Sequence, residues 1–240
     1  MGPFKVLQSI EELIFQIATW LVLLPKTFLR VLRRPQWVPE YIGEELHKDA
    51  TERFSSQMSP VLFWVLIGLM PHMLTIDLLG SMSESRIASE KEWIRFVASS
   101  WEARLLVISI FALSGPLAFA TAIARDRKET VSRDSLRSPF YAQCYAFAPA
   151  YLFLVPAVAV TLRYDRDVPG GAVGFWYAAS WLSAAIWILF SETNILSVEL
   201  HTARSAAFRT TLRYLGRALW FLLLLELLVI TAFQGLAVWR

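Results

Sequence analysis

Five long apolar stretches constrain this chain more than any other feature. Each offers about 20 mostly apolar residues, enough for a helix to cross the roughly 30 Å hydrocarbon core of a bilayer. They run over residues 60–80, 104–124, 139–162, 171–190 and 217–239. Because a helix hydrogen-bonds its own backbone, it can cross lipid as a single segment. The pattern predicts an all-α fold, a polytopic transmembrane helix bundle with five spans, built from residues 60–240.

The composition is typical of a protein surrounded by lipid. Hydrophobic residues make up 56% of the 240 residues and the mean hydropathy is +0.47, more than a soluble core of that size requires. Charged residues are only 18% and cluster between the apolar stretches. The net charge of +3 is dispersed among acidic neighbours, so it gives no indication of nucleic-acid binding.

The N-terminal segment, residues 1–34, is predicted to form interfacial amphipathic helices. Its apolar run is only about 12 residues long, which is short for a span. Polar residues recur every three or four positions along it, as expected for one face of a surface helix. They are Lys5, Ser9, Glu12, Gln16 and Thr19. Pro25 is predicted to break this helix. A sixth span over residues 10–29 is the alternative, and it would change only the position of the extreme N-terminus.

After Pro25 the segment becomes basic, which predicts contact with anionic lipid headgroups on the cytoplasmic side. The predicted headgroup contacts are Lys26, Arg30, Arg33 and Arg34. Residues 35–59 are then predicted to be a cytoplasmic linker with a short helix over residues 43–54. The polar segment 193–216 is predicted to be a similar cytoplasmic element.

Lysine and arginine predict the orientation, because positively charged loops remain cytoplasmic. Of the 23 basic residues, 16 fall in the N-terminal segment and in the loops around 125–137 and 191–217, and 7 fall in the alternate regions. We therefore expect a cytoplasmic N-terminus and an external C-terminus.

One intramembrane carboxylate is the main candidate for chemistry. Glu226 lies about nine residues into the last stretch, near the middle of the bilayer, where a charged group costs about 2.5–3.5 kcal/mol on insertion scales. His72 lies at a similar depth in the first stretch, and Asp77 and Gln234 share a deeper level. These four residues predict an intramembrane polar site between the first and last spans. Packing and interhelical hydrogen bonding remain the alternative interpretation for each, and the same interpretation is favoured for Gln143.

Patterns for enzymatic chemistry are absent from the sequence. It contains no HExxH, GxSxG or phosphate-binding glycine loop, and it has three histidines and one cysteine, Cys144. Asp165 and Asp167 alternate with arginines, which is typical of a solvated turn. We expect no catalytic residues, no metal site and no cofactor.

The layout of a basic amphipathic entry, five spans and a short outer tail resembles the Yip1-like membrane proteins. The residues that carry this are LLPKTFLRVLRRP, from Leu23 to Pro35, and SPFYAQCYAFAPAYL at the start of the third span. The resemblance implies a non-enzymatic factor in membrane organisation or trafficking and, through its bacterial members, a bacterial inner membrane. The DLYGP-type sequence of eukaryotic members is absent, so their binding to small GTPases is not implied.

Three functional hypotheses follow, of which the least favoured is a lipid-modifying enzyme. The first is a non-catalytic scaffold or accessory subunit that binds lipid and either a protein partner or a second copy of itself. The second is a channel or proton-coupled transporter built around Glu226 and His72.

Overall fold

The protein is described by a computed structural model that gives the backbone over residues 3–80, 101–163 and 170–238. Side chains are described over most of residues 9–75, 101–159 and 174–224. Every regular element in this part of the chain is helical, so the predicted all-α class is confirmed.

Eight α-helices, a 3-10 turn and a π-helical segment make up the described chain. They are α1 Pro3–Arg33, the 3-10 turn Pro35–Trp37, α2 Val38–His47, α3 Pro60–Phe63, the π-helical segment Trp64–Leu69, α4 Met70–Gly80, α5 Trp101–Asp126, α6 Arg133–Arg163, α7 Gly170–Glu199 and α8 Arg204–Val238. The segments α3, π and α4 follow one another without a break.

Within the part of the chain that the structure describes, three helices are long and apolar enough to cross a membrane. They cover Ser9–Arg33, Arg133–Ala159 and Gly174–Glu199, and a shorter apolar helix covers Pro60–Thr75. Each of the five predicted stretches also coincides with helical backbone, apart from position 239, which lies outside the described residues. Long apolar helices are typical of a membrane protein, whereas the number of spans remains a prediction.

Helix α6 lies at the centre of the bundle and packs most extensively against α7. Small residues repeat every fourth position on α6, at Ala142, Ala146 and Ala150, and all three are buried. They let neighbouring helices approach closely. Between α7 and α6, the Trp187 indole donates a 2.7 Å hydrogen bond to the Ala146 carbonyl. Between α6 and α5, the Tyr151 hydroxyl donates a 2.6 Å hydrogen bond to the Ala112 carbonyl.

The predicted helix break at Pro25 is wrong, because α1 continues through it to Arg33. Proline removes one backbone donor from a helix, but the following turns are held by other contacts. The Thr27 hydroxyl donates to Gln57 Oε1 at 3.1 Å and accepts from the Met58 N–H at 3.0 Å. These bonds fix the C-terminal part of α1 against the segment before α3.

The helix predicted over residues 43–54 starts earlier and ends earlier than expected. Helix α2 ends at His47, Lys48 is extended, and Phe54 has a positive φ of 59°. The Glu45 carboxylate accepts a 2.5 Å hydrogen bond from the Phe54 N–H, which holds the chain in this turn. The segment 193–216 is also more helical than a loop, since α7 extends to Glu199 and α8 begins at Arg204.

Candidate functional site: a basic cleft, an apolar cavity and a buried carboxyl

The basic regions of the sequence meet at one end of the bundle. Arg127, just after α5, makes a 2.6 Å ion pair with Glu199 at the end of α7. In the first half of α8, the Tyr214 hydroxyl donates a 2.6 Å hydrogen bond to Asp126 of α5. We call this the basic end, and it also receives the C-terminal part of α1.

Residues 35–59 form a compact element, which we call the cap, packed on the basic end. Val38 and Ile42 of α2 are fully buried against the bundle. From α6, the Tyr145 hydroxyl donates to the Met58 carbonyl, and its ring centroid lies 5.9 Å from that of Trp37. The predicted cytoplasmic linker is therefore tightly attached to the bundle core.

Glu45 is the buried charge that organises the cap. Its carboxylate accepts hydrogen bonds from Lys48 Nζ at 2.6 Å and from the Phe54 N–H. Burial raises the pKa of this carboxyl, but the bonds from Lys48 and Phe54 outweigh burial and hold the pKa below its usual range. The carboxylate therefore stabilises the cap at neutral pH, and this contribution is lost as the pH falls through the lowered pKa.

A basic cleft lies beside the cap at the C-terminal end of α1. It encloses about 440 Å³ and is lined by Lys26, Leu29, Arg30, Arg33 and Arg34. All four predicted headgroup-binding residues therefore line one cleft, and no carboxylate belongs to its lining. Four exposed cations around a single concave surface favour an anionic ligand.

Contacts with the cap hold two of these cations in place. Lys26 Nζ donates a 2.8 Å hydrogen bond to the Ser56 carbonyl. The Arg30 guanidinium lies 4.3 Å from the centre of the Trp37 ring, a cation–π contact. Arg33 and Arg34 are exposed and have no ion-pair partner among the described residues, so both are available to a ligand.

An apolar cavity of about 940 Å³ lies within the bundle. Its lining comes from the π-helical segment and from α4, α5, α6, α7 and α8. Among the described residues of this lining there is no lysine, arginine, aspartate or glutamate, and His72 and Tyr151 are the titratable side chains. The cavity therefore favours an uncharged, apolar occupant.

The predicted polar site is only partly described. His72 lines the apolar cavity, and its Nδ1 lies 3.0 Å from the Gly68 carbonyl one turn earlier. Position 226 lies on α8, three residues beyond the cavity residue Leu223. The side chains of Glu226, Asp77 and Gln234 lie outside the described residues, so their pairing with His72 remains a prediction.

A second buried carboxyl, Glu192, was missed by the sequence analysis. Gln143 Nε2 on α6 donates a 3.2 Å hydrogen bond to Glu192 Oε2 on α7, and both side chains are fully buried. The interhelical bond expected of Gln143 is thus present. Glu192 lies two residues beyond the predicted end of the fourth span, within the predicted loop 191–217. Helix α7 instead carries it into the core.

This pair retains unused hydrogen-bonding capacity. Gln143 Oε1 and Glu192 Oε1 have no hydrogen-bond partner within the described residues. Glu192 also forms no ion pair with any lysine, arginine or histidine of this part of the chain. A buried polar group left unpaired costs about 1–3 kcal/mol. A carboxyl proton or a buried water would offset that cost.

Comparison with known proteins adds no assignment. No protein-family model, curated protein or solved structure matches this chain.

Proposed function

We propose that this chain is a non-catalytic integral membrane protein, a scaffold or accessory subunit that binds anionic lipid and a protein partner. The observation that carries the proposal is the basic cleft, where Lys26, Arg30, Arg33 and Arg34 surround one concave surface. Two of the cations are held by the cap and two remain available. Phosphate groups of anionic lipids complement this positive charge.

Helix α1 supports the second half of the proposal, the protein partner. Between residues 10 and 22 it carries large apolar side chains that are exposed, among them Phe15 at 73% exposure and Leu21 at 70%. Such a surface requires lipid, a partner or a second copy to cover it. The basic cleft at the other end of the same helix would hold that surface at a membrane.

The lipid proposal is tested with paired arginine variants. Arg33→Gln with Arg34→Gln removes about 2 kcal/mol of headgroup attraction, at about 1 kcal/mol per cation. We expect phosphatidylglycerol to bind the double variant roughly 30-fold more weakly than the wild type. Native mass spectrometry measures this binding, with zwitterionic phosphatidylcholine as the reference lipid.

The matched control is Arg209→Gln with Arg213→Gln, two exposed arginines on α8 outside the cleft. It has the same loss of charge, so general electrostatic attraction would be weakened equally. Equal loss of phosphatidylglycerol in both double variants would contradict a specific cleft, and no loss in either would contradict lipid binding at this position.

The arrangement in the membrane is part of the proposal: five spans, a cytoplasmic N-terminus in an interfacial α1, and an external C-terminus in a bacterial inner membrane. Single cysteines at Ser9, Ser83 and Ser132, in a Cys144→Ala background, test it. We expect a membrane-impermeant maleimide added to intact spheroplasts to label only position 83. Labelling at position 9 would establish α1 as a sixth span, and labelling at 132 would reverse the orientation.

A channel or proton-coupled transporter using Glu226 and His72 is the second candidate. It is favoured by the position of His72 in the wall of a large cavity that also includes Leu223, one turn before Glu226. Proton flux into proteoliposomes that Glu226→Gln abolishes would support it. Absence of flux in the wild-type protein would favour the scaffold.

A further inference from the structure

We propose that the apolar cavity binds one long-chain, uncharged lipid whose head carries an O–H group, and that this O–H donates a hydrogen bond to Nε2 of His72. The site is separate from the basic cleft, since the two share no lining residue. It also selects different chemistry, because the described residues of its lining include no lysine or arginine to pair with a phosphate.

The position of the cavity indicates an occupant from the lipid phase. Its walls include Phe147 and Leu154 of α6 and Ile188 of α7. These residues lie within the helices Arg133–Ala159 and Gly174–Glu199, both apolar enough to cross a membrane. Other lining residues, Leu182 of α7 and Leu219 of α8, are exposed. The cavity is therefore open at a wall formed by apolar side chains, which an occupant from the hydrocarbon phase would match.

Small residues at close helix approaches shape the walls. A Cβ added at Gly68 would lie 3.3 Å from the Tyr151 ring, and one added at Gly115 would lie 2.6 Å from Phe147. Gly68 belongs to the π-helical segment, a distortion that is frequent at functional sites. The widened turn ends just before α4, which carries His72.

The histidine provides a hydrogen-bond acceptor in a wall whose other described residues are apolar or, like Tyr151, already hydrogen-bonded. Its Nδ1 faces the Gly68 carbonyl, which can only accept, so Nδ1 carries the hydrogen and neutral imidazole keeps a lone pair on Nε2. Nε2 has no hydrogen-bond partner among the described residues. The Tyr151 hydroxyl, by contrast, already donates to Ala112. An O–H donor at the head of the occupant therefore complements His72.

Two probes of equal chain length test the site: a photoreactive hexadecanol analogue and its methyl ether, which lacks the O–H donor. With the purified wild-type protein in nanodiscs, we expect the alcohol to label cavity residues about 5- to 10-fold more efficiently, the value of one net hydrogen bond. In His72→Phe this preference should disappear while labelling by the chain persists. Equal labelling of the wild type by both probes would overturn the proposal.

A second test of the proposal fills the cavity with a larger side chain. Ala185 lines the cavity yet is exposed, so Ala185→Phe adds bulk there without replacing a packed side chain. Ala178, two turns earlier on α7, is exposed and outside the lining, which makes Ala178→Phe the matched control. We expect at least a 10-fold loss of alcohol labelling in the first and none in the second. Equal labelling of both variants would show that the probe binds elsewhere on the lipid-facing surface.

Discussion

Tyr145→Ala is expected to lower the free energy of unfolding by about 3–5 kcal/mol, the range for removing a large buried aromatic ring. Tyr145 is fully buried on α6, where its ring contacts those of Trp37 and Phe63. Its hydroxyl donates to the Met58 carbonyl. The substitution therefore removes a bundle contact and a cap contact together.

Titration with sodium dodecyl sulfate in mixed micelles measures this change, and two variants separate its causes. Tyr145→Phe keeps the ring and removes only the hydroxyl, so we expect a smaller loss of about 1–3 kcal/mol from the unpaired carbonyl. Tyr177→Ala removes a tyrosine that is 48% exposed and controls for lost area. If Tyr145→Ala were no more destabilising than Tyr177→Ala, the cap would not be fixed to α6 as described.

Gly115→Ala is expected to destabilise the bundle by about 1–3 kcal/mol, because the added methyl group would overpack the contact between α5 and α6. Its Cβ would lie 2.6 Å from the Phe147 ring and 3.2 Å from the Tyr151 hydroxyl. Phe147 is itself held by Phe119, with ring centroids 5.4 Å apart. The ring therefore has little room to move away.

The opposite sign is expected at Gly216, which lies in helix α8 with nothing within 4 Å of an added Cβ. There alanine should stabilise by about 0.5–1 kcal/mol, since glycine is a poor helix former. Both variants gain the same helix propensity, so the difference between their unfolding midpoints isolates the clash. Equal stabilisation at both positions would contradict the close approach of α5 and α6.

Hydropathy alone predicted where the bundle helices lie, because twenty consecutive apolar residues leave few other structures available. The boundaries were less accurate at the basic end. There α7 extends nine residues beyond the predicted end at position 190, as far as Glu199, because its polar residues find partners in the bundle and at Arg127. The sequence shows that these residues are polar, but it does not show that another helix provides a hydrogen-bonding or ion-pair partner for them.

The basic residues of the cleft were predictable because three of its four cations lie on α1, where spacing determines the face, and Arg34 follows directly after the helix ends at Arg33. The Gln143–Glu192 contact was not, since it joins residues 49 positions apart. Neither the helix register nor the choice of neighbour can be read from one sequence. The apolar cavity depends on the same kind of information, as six helical segments contribute to its walls.

The single cysteine of the chain lies next to Tyr145 and is fully buried. A water-soluble thiol reagent can reach Cys144 only after α6 has separated from its neighbours. The rate at which the wild-type protein is modified therefore measures how often α6 separates from its neighbours. Closed molecules are protected, whereas each open molecule can be modified irreversibly. Lipids or partners that stabilise the closed bundle will lower the rate of Cys144 modification, so binding can be detected in the natural sequence without introducing a label.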